Sequence, residues 1–131
     1  MSFDFKKEYR EFYLPKAKPE IVAVPRANYI AVRRRGDPNE ENGAYQRAIG
    51  VLYAVAYTLK MSKRAGHEIE GFFDYVVPPL EGFWQMPDTE TVDYGRKSDF
   101  RRLPHEIYLS DPRRVAAEKR KTVIRHPIKK A

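Results

Sequence analysis

Residues 44–60 read AYQRAIGVLYAVAYTLK, and this stretch decides the fold class. Its apolar residues recur at steps of three and four, which is the spacing of one face of an α-helix. The stripe consists of Tyr45, Ala48, Ile49, Leu52, Tyr53, Val55, Ala56 and Leu59. It is wide enough for a helix that lies flat on a sheet, so the sequence predicts one long helix over residues 42–63, ended by Gly66.

Shorter segments rich in β-branched and aromatic residues surround this helix and predict strands. Before the helix, residues 21–33 predict one kinked strand or two short ones. After it, residues 69–77 predict the next strand, and residues 80–86 are expected to leave the sheet. Two further strands are expected at 106–109 and 122–125. The predicted order is β-α-β-β-β, an α+β fold with one long helix on one face of an antiparallel sheet.

The length and composition set the domain organisation and the expected compartment. With 131 residues the chain is expected to form a single domain over 1–131, with an N-terminal arm at 1–20 and a mobile polar loop at 87–104. The absence of cysteine excludes disulfides and thiolate sites and suits a reducing cytosol. No apolar run approaches a membrane span, and the N-terminus has no signal-peptide pattern, so we expect a cytoplasmic location and no membrane partner.

The net charge of +7 is concentrated near the C-terminus, in residues 96–131. Such a segment suits nucleic acid or an acidic protein partner, or it is a solvated surface with a basic tail. The sequence has no helix-turn-helix or base-stacking signature, so we do not expect a nucleic-acid partner.

Most catalytic and metal-binding patterns are missing from the sequence. No serine lies in a nucleophile-elbow context, and His67, His105 and His126 lack paired metal-ligand spacing. No glycine-rich phosphate loop is present, so no cofactor is expected.

The segment HEIYL at 105–109 contains a carboxylate inside a predicted strand. Strand alternation places Glu106 and Tyr108 on one face. A carboxylate that shares a face with aromatic rings forms a site for cations, and it can also act as a general acid or base. Rings on a strand are also common in hydrophobic cores, so this pattern alone leaves both interpretations open.

Several longer stretches resemble bacterial GyrI-like proteins. The resemblance rests on KKEYREFYLPKAKPEIVAVP at 6–25, on NYIAVRRRGDPNEENGAYQRAIGVLYAVAYTLKMSK at 28–63, on IEGFFDYVVPPLEGFWQ at 69–85, on PHEIYLSDPRR at 104–114 and on KTVIRHPI at 121–128. Within that superfamily the chain is similar to the stand-alone branch that includes cyclopropanoid hydrolases. The resemblance implies two β-α-β-β modules related by a pseudo-twofold, with a flat, hydrophobic and often cationic ligand held between them.

The same resemblance implies a set of ligand-binding residues. A glutamate of the late strand falls on Glu106, which is also the candidate catalytic residue. The implied pocket lining is Tyr108, Trp84, Phe83, Tyr75 and Phe73.

The chain is shorter than the usual two-module pattern, because KSDF at 97–100 passes almost directly into RRLPHEIYLSDP. It therefore holds one module and the last strands of a second. Either two copies form a homodimer that completes the pocket, or the shortened chain no longer binds a ligand.

Three functions follow from the sequence. The first is a binding protein of the GyrI-like class for xenobiotic or drug-like molecules that are flat, hydrophobic and cationic. The second is a hydrolase of strained electrophilic natural products, which leaves open whether the protein is an enzyme. The third is a basic module that binds nucleic acid or protein.

Overall fold

The structure is a computed structural model that describes residues 1–84 and 104–128. Two short helices, α1 (Phe5–Glu8) and α2 (Arg10–Tyr13), precede the long helix α3 (Ala44–Met61). Three strands follow, β1 (Leu80–Phe83), β2 (His105–Tyr108) and β3 (Thr122–Arg125), with a 3₁₀ turn at Ala117–Lys119. The chain forms two compact units. We call Met1–Glu8 with Ile21–Val77 the helical unit, and Tyr9–Glu20 with Pro78–Ala131 the sheet unit.

The long helix predicted for 42–63 is confirmed as α3. Gly43 is its N-cap in extended backbone, and Asn42 before it has a left-handed φ of 55°. The side chain of Gln46 accepts a hydrogen bond from the Asn42 amide at 3.0 Å, so a polar side chain of the first turn binds the chain that enters the helix. Gly66, with a φ of 79°, lies in the turn that follows the helix.

The strand predicted at 69–77 is formed only in part. Gly71 has a φ of 73°, and the turn around it is closed by a 3.0 Å hydrogen bond from the Phe72 amide to the Ile69 carbonyl. Strand pairing is limited to one parallel bridge between Tyr75 and Phe3. The turn shortens the extended segment, so the N-terminal residues provide its only ladder contact among the described residues.

The strand predicted at 21–33 is not formed. Pro25 has no N–H to donate to a ladder, and no other strand among residues 1–84 and 104–128 pairs with this segment. Most of its apolar side chains are exposed, by 86% at Ile21 and 57% at Ile30, and Val22 and Val32 are half-buried. Strand propensity without a partner strand was not sufficient here.

The sheet unit contains an antiparallel sheet in the order β1-β2-β3. Residues 80–83 were expected to leave the sheet, but they form its first strand, with Leu80 opposite Tyr108 and Phe83 opposite His105. In β3, Val123 lies opposite Ile107 of the central strand. The α+β class, the antiparallel sheet and the single long helix are therefore confirmed.

Alternation along the three strands gives the sheet two different faces. The closed face is packed against Phe12 and Tyr13 of α2 and contains the fully buried Ile107. Its strand residues are Glu81, Phe83, His105, Ile107, Val123 and Arg125. The open face carries Leu80, Gly82, Glu106, Tyr108, Thr122 and Ile124. Ile124 is 63% exposed and none of the six is buried, whereas the closed face has three buried strand residues, so the open face is the less buried of the two.

The remaining predictions about organisation concern loops and the membrane. The loop predicted at 87–104 lies, apart from Pro104, outside the described residues. Within the part of the chain that the structure describes, no helix has the length and apolar character needed to cross a membrane.

Candidate functional site

Glu106 lies in the central strand and projects from the open face, opposite Gly82 on one side and Ile124 on the other. One of its carboxylate oxygens, Oε2, accepts two hydrogen bonds. The Tyr108 hydroxyl donates to it at 2.6 Å, and the indole Nε1–H of Trp84 donates at 3.1 Å. The same indole N–H also lies 2.7 Å from the Tyr108 hydroxyl oxygen. We call Trp84, Glu106 and Tyr108 the open-face cluster.

Trp84 reaches this cluster because the ladder continues one residue beyond β1. Its backbone amide donates to the Pro104 carbonyl at 3.1 Å, so Trp84 has the same facing as Gly82. The indole then lies over Gly82. A Cβ on Gly82 would lie 3.0 Å from the indole nitrogen and 3.1 Å from the Tyr108 hydroxyl oxygen. The absence of a side chain at Gly82 is therefore what admits the ring nitrogen and the hydroxyl above the strand.

The arrangement gives Glu106 a fixed charge with one oxygen available. Both donors reach Oε2, and within residues 1–84 and 104–128 no side chain donates a hydrogen bond to Oε1. The side chain is half-buried, so its charge is less screened than that of a fully exposed carboxylate. A half-buried anion held between two aromatic side chains can attract a cation or accept a proton.

Of the other predicted pocket residues, Phe83 lies in the sheet unit but on the closed face. Its ring stacks on the His105 imidazole, with centroids 4.3 Å apart and planes 10° apart, and it is 46% exposed. The structure therefore does not bring Phe83 together with Glu106.

Phe73 and Tyr75 belong to the helical unit. The Tyr75 hydroxyl donates to the Ala56 carbonyl of α3 at 2.9 Å, and burial raises the pKa of this phenol. Phe73 is 53% exposed and meets Phe3 edge-on, with ring centroids 5.8 Å apart. Their contacts in the structure are those of packing around α3 and the N-terminus.

Asp74, between these two aromatic residues, anchors the N-terminus. Its carboxylate accepts a hydrogen bond from the Ser2 hydroxyl, and the Phe3 amide donates to the Asp74 carbonyl at 2.8 Å. The Ser2 hydrogen bond, helped by the charge of Lys60, lowers the pKa of Asp74. This carboxylate therefore has a structural role rather than a place in the open-face cluster.

Sequence reasoning missed a second pair of ionisable groups, Glu81 and His105, on the closed face. Their Oε2 and Nε2 atoms lie 2.7 Å apart, and the side chains are only 6% and 8% exposed. If LEGF had been predicted as a strand, alternation would have directed Glu81 and Phe83 to the face opposite Gly82 and indicated this pair.

Part of the basic C-terminal segment is engaged within the chain. Arg113 makes two side-chain hydrogen bonds to Asp111, at 3.1 and 2.9 Å, and these lower the pKa of that carboxyl. Arg120 donates to the carbonyls of Val115 and Pro112 at 2.8 and 2.7 Å. These hydrogen bonds hold the connection between β2 and β3, and Asp111 balances part of the positive charge of this segment.

Among the described residues, no group of three or more histidine, cysteine or acidic side chains is arranged to hold a metal ion.

These features define an α+β protein in which the Glu106 carboxylate accepts hydrogen bonds from Trp84 and Tyr108 on the open face of a three-stranded sheet. No protein-family model matches the chain, and no curated protein matches it closely. Three solved structures from Listeria innocua are similar over almost their whole length. An uncharacterized conserved protein has a TM-score of 0.78 and 30% identity, with 96% of this chain and 99% of that chain covered. A hydrolase has a TM-score of 0.77 and 33% identity with the same coverage, and another structure described as a hydrolase has 0.78 and 30%, covering 97% and 99%. The chain belongs to the same family as these Listeria proteins.

Proposed function

We propose that this chain is a small-molecule-binding protein of the GyrI-like class, with its ligand on the open face against the Trp84–Glu106–Tyr108 cluster. The observation that carries the proposal is the pair of hydrogen bonds that fix the Glu106 carboxylate beside two aromatic side chains, at 2.6 and 3.1 Å. The sequence resemblance supports the same position. A cytoplasmic location remains a prediction from the cysteine-free sequence.

The chemistry of the cluster favours a flat, apolar cation as the ligand, of the kind found among drug-like xenobiotics. Ring faces provide dispersion and a negative quadrupole, and the carboxylate provides a full negative charge nearby. Because Oε2 already accepts two hydrogen bonds, the charge is held in place before a ligand arrives. Such preorganisation lowers the ordering cost of binding.

Removal of one ring at the cluster tests this proposal directly. In Tyr108→Leu the ring and its hydroxyl are lost, and affinity for a flat cationic dye should fall about five- to thirtyfold, as expected for about 1–2 kcal/mol. The matched control is Tyr57→Leu, because Tyr57 is a 48% exposed tyrosine on α3 in the helical unit. Equal dye affinities for the wild type and Tyr108→Leu would place the ligand elsewhere.

A second candidate function is hydrolysis of a strained electrophile at the same site. Two observations favour it: the short hydrogen bond from Tyr108 to Glu106, and the two Listeria relatives described as hydrolases. Oε1 of Glu106 would accept a proton from water as the water oxygen forms a bond to a ring carbon. The strained carbon–carbon bond at that carbon breaks as the new carbon–oxygen bond forms, its electron pair enters the conjugated system, and the proton that Glu106 accepted is returned to the product. The net reaction is the addition of one water.

Mass spectrometry separates binding from turnover. An activated cyclopropane incubated with the wild type should gain the mass of one water if the protein is a hydrolase, and Glu106→Gln should abolish the gain. Unchanged substrate in the presence of saturable binding would support the binding function alone.

The third function predicted from sequence, a nucleic-acid or protein partner on the basic segment, gains no support from the open-face cluster. Binding through phosphates would weaken steeply as salt rises, whereas dye binding on aromatic rings would change much less.

A further inference from the structure

The closed face of the sheet holds a buried ionisable pair directly beneath the open-face cluster. Glu81 and His105 are joined by the 2.7 Å contact between Oε2 and Nε2. The other oxygen of Glu81 accepts a hydrogen bond from the Tyr13 hydroxyl at 3.3 Å. Both carboxylate oxygens are thus engaged, one by the central strand and one by α2.

Side chains on the closed face around the pair connect β1 to β2. Phe83 stacks on the His105 ring, so β1 contacts β2 through two consecutive closed-face side chains, Glu81 and Phe83. Of the charged and titratable groups in the described part of the sheet unit, Tyr13 from α2 and Arg125 from β3 also lie on this face. The Arg125 guanidinium lies 4.0 Å from the ring centroid of Phe12, which in turn lies 6.3 Å from the His105 ring.

β1 has only four residues, and its facing alternates strictly. Glu81 and Phe83 are held on the closed face, while Gly82 and then Trp84 face the open side. A one-residue slip of β1 against β2 would send Trp84 to the wrong face and separate its indole from Glu106. A strand this short depends on side-chain contacts as well as on its ladder to keep its register.

We propose that Glu81 and His105 are a positioning pair that sets the place of the Trp84 indole against Glu106. The proposal deepens the proposed function and rests on it in one respect, namely that the cluster is the ligand site. The pair does not contact the ligand. It acts through β1, by keeping the indole Nε1–H within hydrogen-bond distance of Oε2.

The chain contains one tryptophan, so fluorescence excited selectively at tryptophan, beyond the absorption of its nine tyrosines, reports on Trp84 alone. Glu81→Gln removes the negative charge of the Glu81 carboxylate and keeps the side-chain volume. We expect the native-state emission of this variant to shift to longer wavelength and its quenching by acrylamide to increase. Dye affinity should fall about fivefold, the effect of one weakened hydrogen bond at the site. The matched control is Glu118→Gln, an exposed carboxylate of the sheet unit, which should leave both readouts unchanged.

A merely structural role would lower the unfolding midpoint of Glu81→Gln and leave the emission of the folded protein unchanged, and that result would overturn the proposal. If Glu81→Gln does not fold, Tyr13→Phe decides, because it removes only the hydroxyl that donates to Glu81. A smaller emission shift in the same direction supports the positioning role, and no shift overturns it. An emission shift with unchanged dye affinity would support the positioning role and count against the ligand site itself.

Discussion

Glu106→Gln isolates the charge of the open-face cluster from its shape. The amide oxygen can still accept from Tyr108 and from Trp84, so the packing of the two rings is retained. Hydrogen bonds to a charged acceptor are roughly twice as strong as neutral ones, so about 1 kcal/mol of folding free energy should be lost at this half-buried position. The variant is therefore expected to fold.

The effect on ligand binding should be larger and selective. A cation about 4 Å from a carboxylate at an effective dielectric constant near 20 gains about 4 kcal/mol, from which the cost of desolvating both charges is subtracted. A net loss of about 1–3 kcal/mol corresponds to an affinity for a cationic dye that is weaker by about five- to 150-fold. A neutral dye of the same shape should bind almost equally to both proteins, because stacking on the rings is unchanged.

The assay is a fluorescence titration of both dyes on the wild type, Glu106→Gln and the control Glu118→Gln. Equal losses for the two dyes in Glu106→Gln would mean that Glu106 maintains the fold and does not select charge. No loss for either dye would place Glu106 outside the binding site.

Four further results are expected. Gly82→Ala places a Cβ 3.0 Å from the Trp84 indole nitrogen, so dye affinity should fall about tenfold. The thermal midpoint should stay nearly unchanged, because the lower backbone entropy of the unfolded chain offsets the clash by about 0.4–1 kcal/mol. Unchanged affinity would show that the indole ring adjusts without cost. Ile107→Ala removes a fully buried side chain and should cost about 2–5 kcal/mol in denaturant unfolding, whereas a loss well below that range would contradict its central place. The pKa of Asp74 is lowered in the folded protein, so its contribution to stability is present above the ordinary Asp pKa and is lost as pH falls through the folded value. The NMR chemical shift of the Phe3 amide should follow this titration, and the pH dependence of that shift should disappear in Asp74→Asn. Light scattering should give the mass of two 15.4 kDa chains, since within residues 1–84 and 104–128 the outer strands β1 and β3 pair only with β2, and a monomer at micromolar concentration would refute the homodimer.

The long helix was predictable because its apolar period is local and its ends carry their own signals. α3 runs from Ala44 to Met61, inside the predicted 42–63. The strands β2 and β3 were also predicted within one residue, since each is a short apolar run bounded by polar residues or proline.

The strands that depend on distant partners were predicted less well. Residues 21–33 have the composition of a strand but form none, and residues 80–83 form one that the sequence did not indicate. Pairing is a property of two segments, so a pattern in one segment cannot establish it. Composition also failed to predict the turn at Gly71. The left-handed backbone at Gly71 interrupts residues 69–77, whose composition predicts one continuous strand.

The grouping of Glu106, Tyr108 and Trp84 on one face could be predicted from the sequence, whereas the closed-face pair could not. Alternation alone places Glu106 and Tyr108 on one face, and the resemblance adds Trp84. The buried pair of Glu81 and His105 was missed because the facing of Glu81 follows only once β1 is known to be a strand. Phe83 was assigned to the pocket for the same reason, although its facing directs it to the closed side.

The Trp84 indole provides the most direct test of the ligand site, because its N–H binds both Glu106 and Tyr108 and gives a single resonance in an NMR spectrum of a protein with one tryptophan. On titration with a flat cationic dye, the resonance should move and saturate at the dye concentration that saturates fluorescence binding. An indole resonance that stays in place while the dye binds to saturation would contradict a ligand site on the open-face cluster.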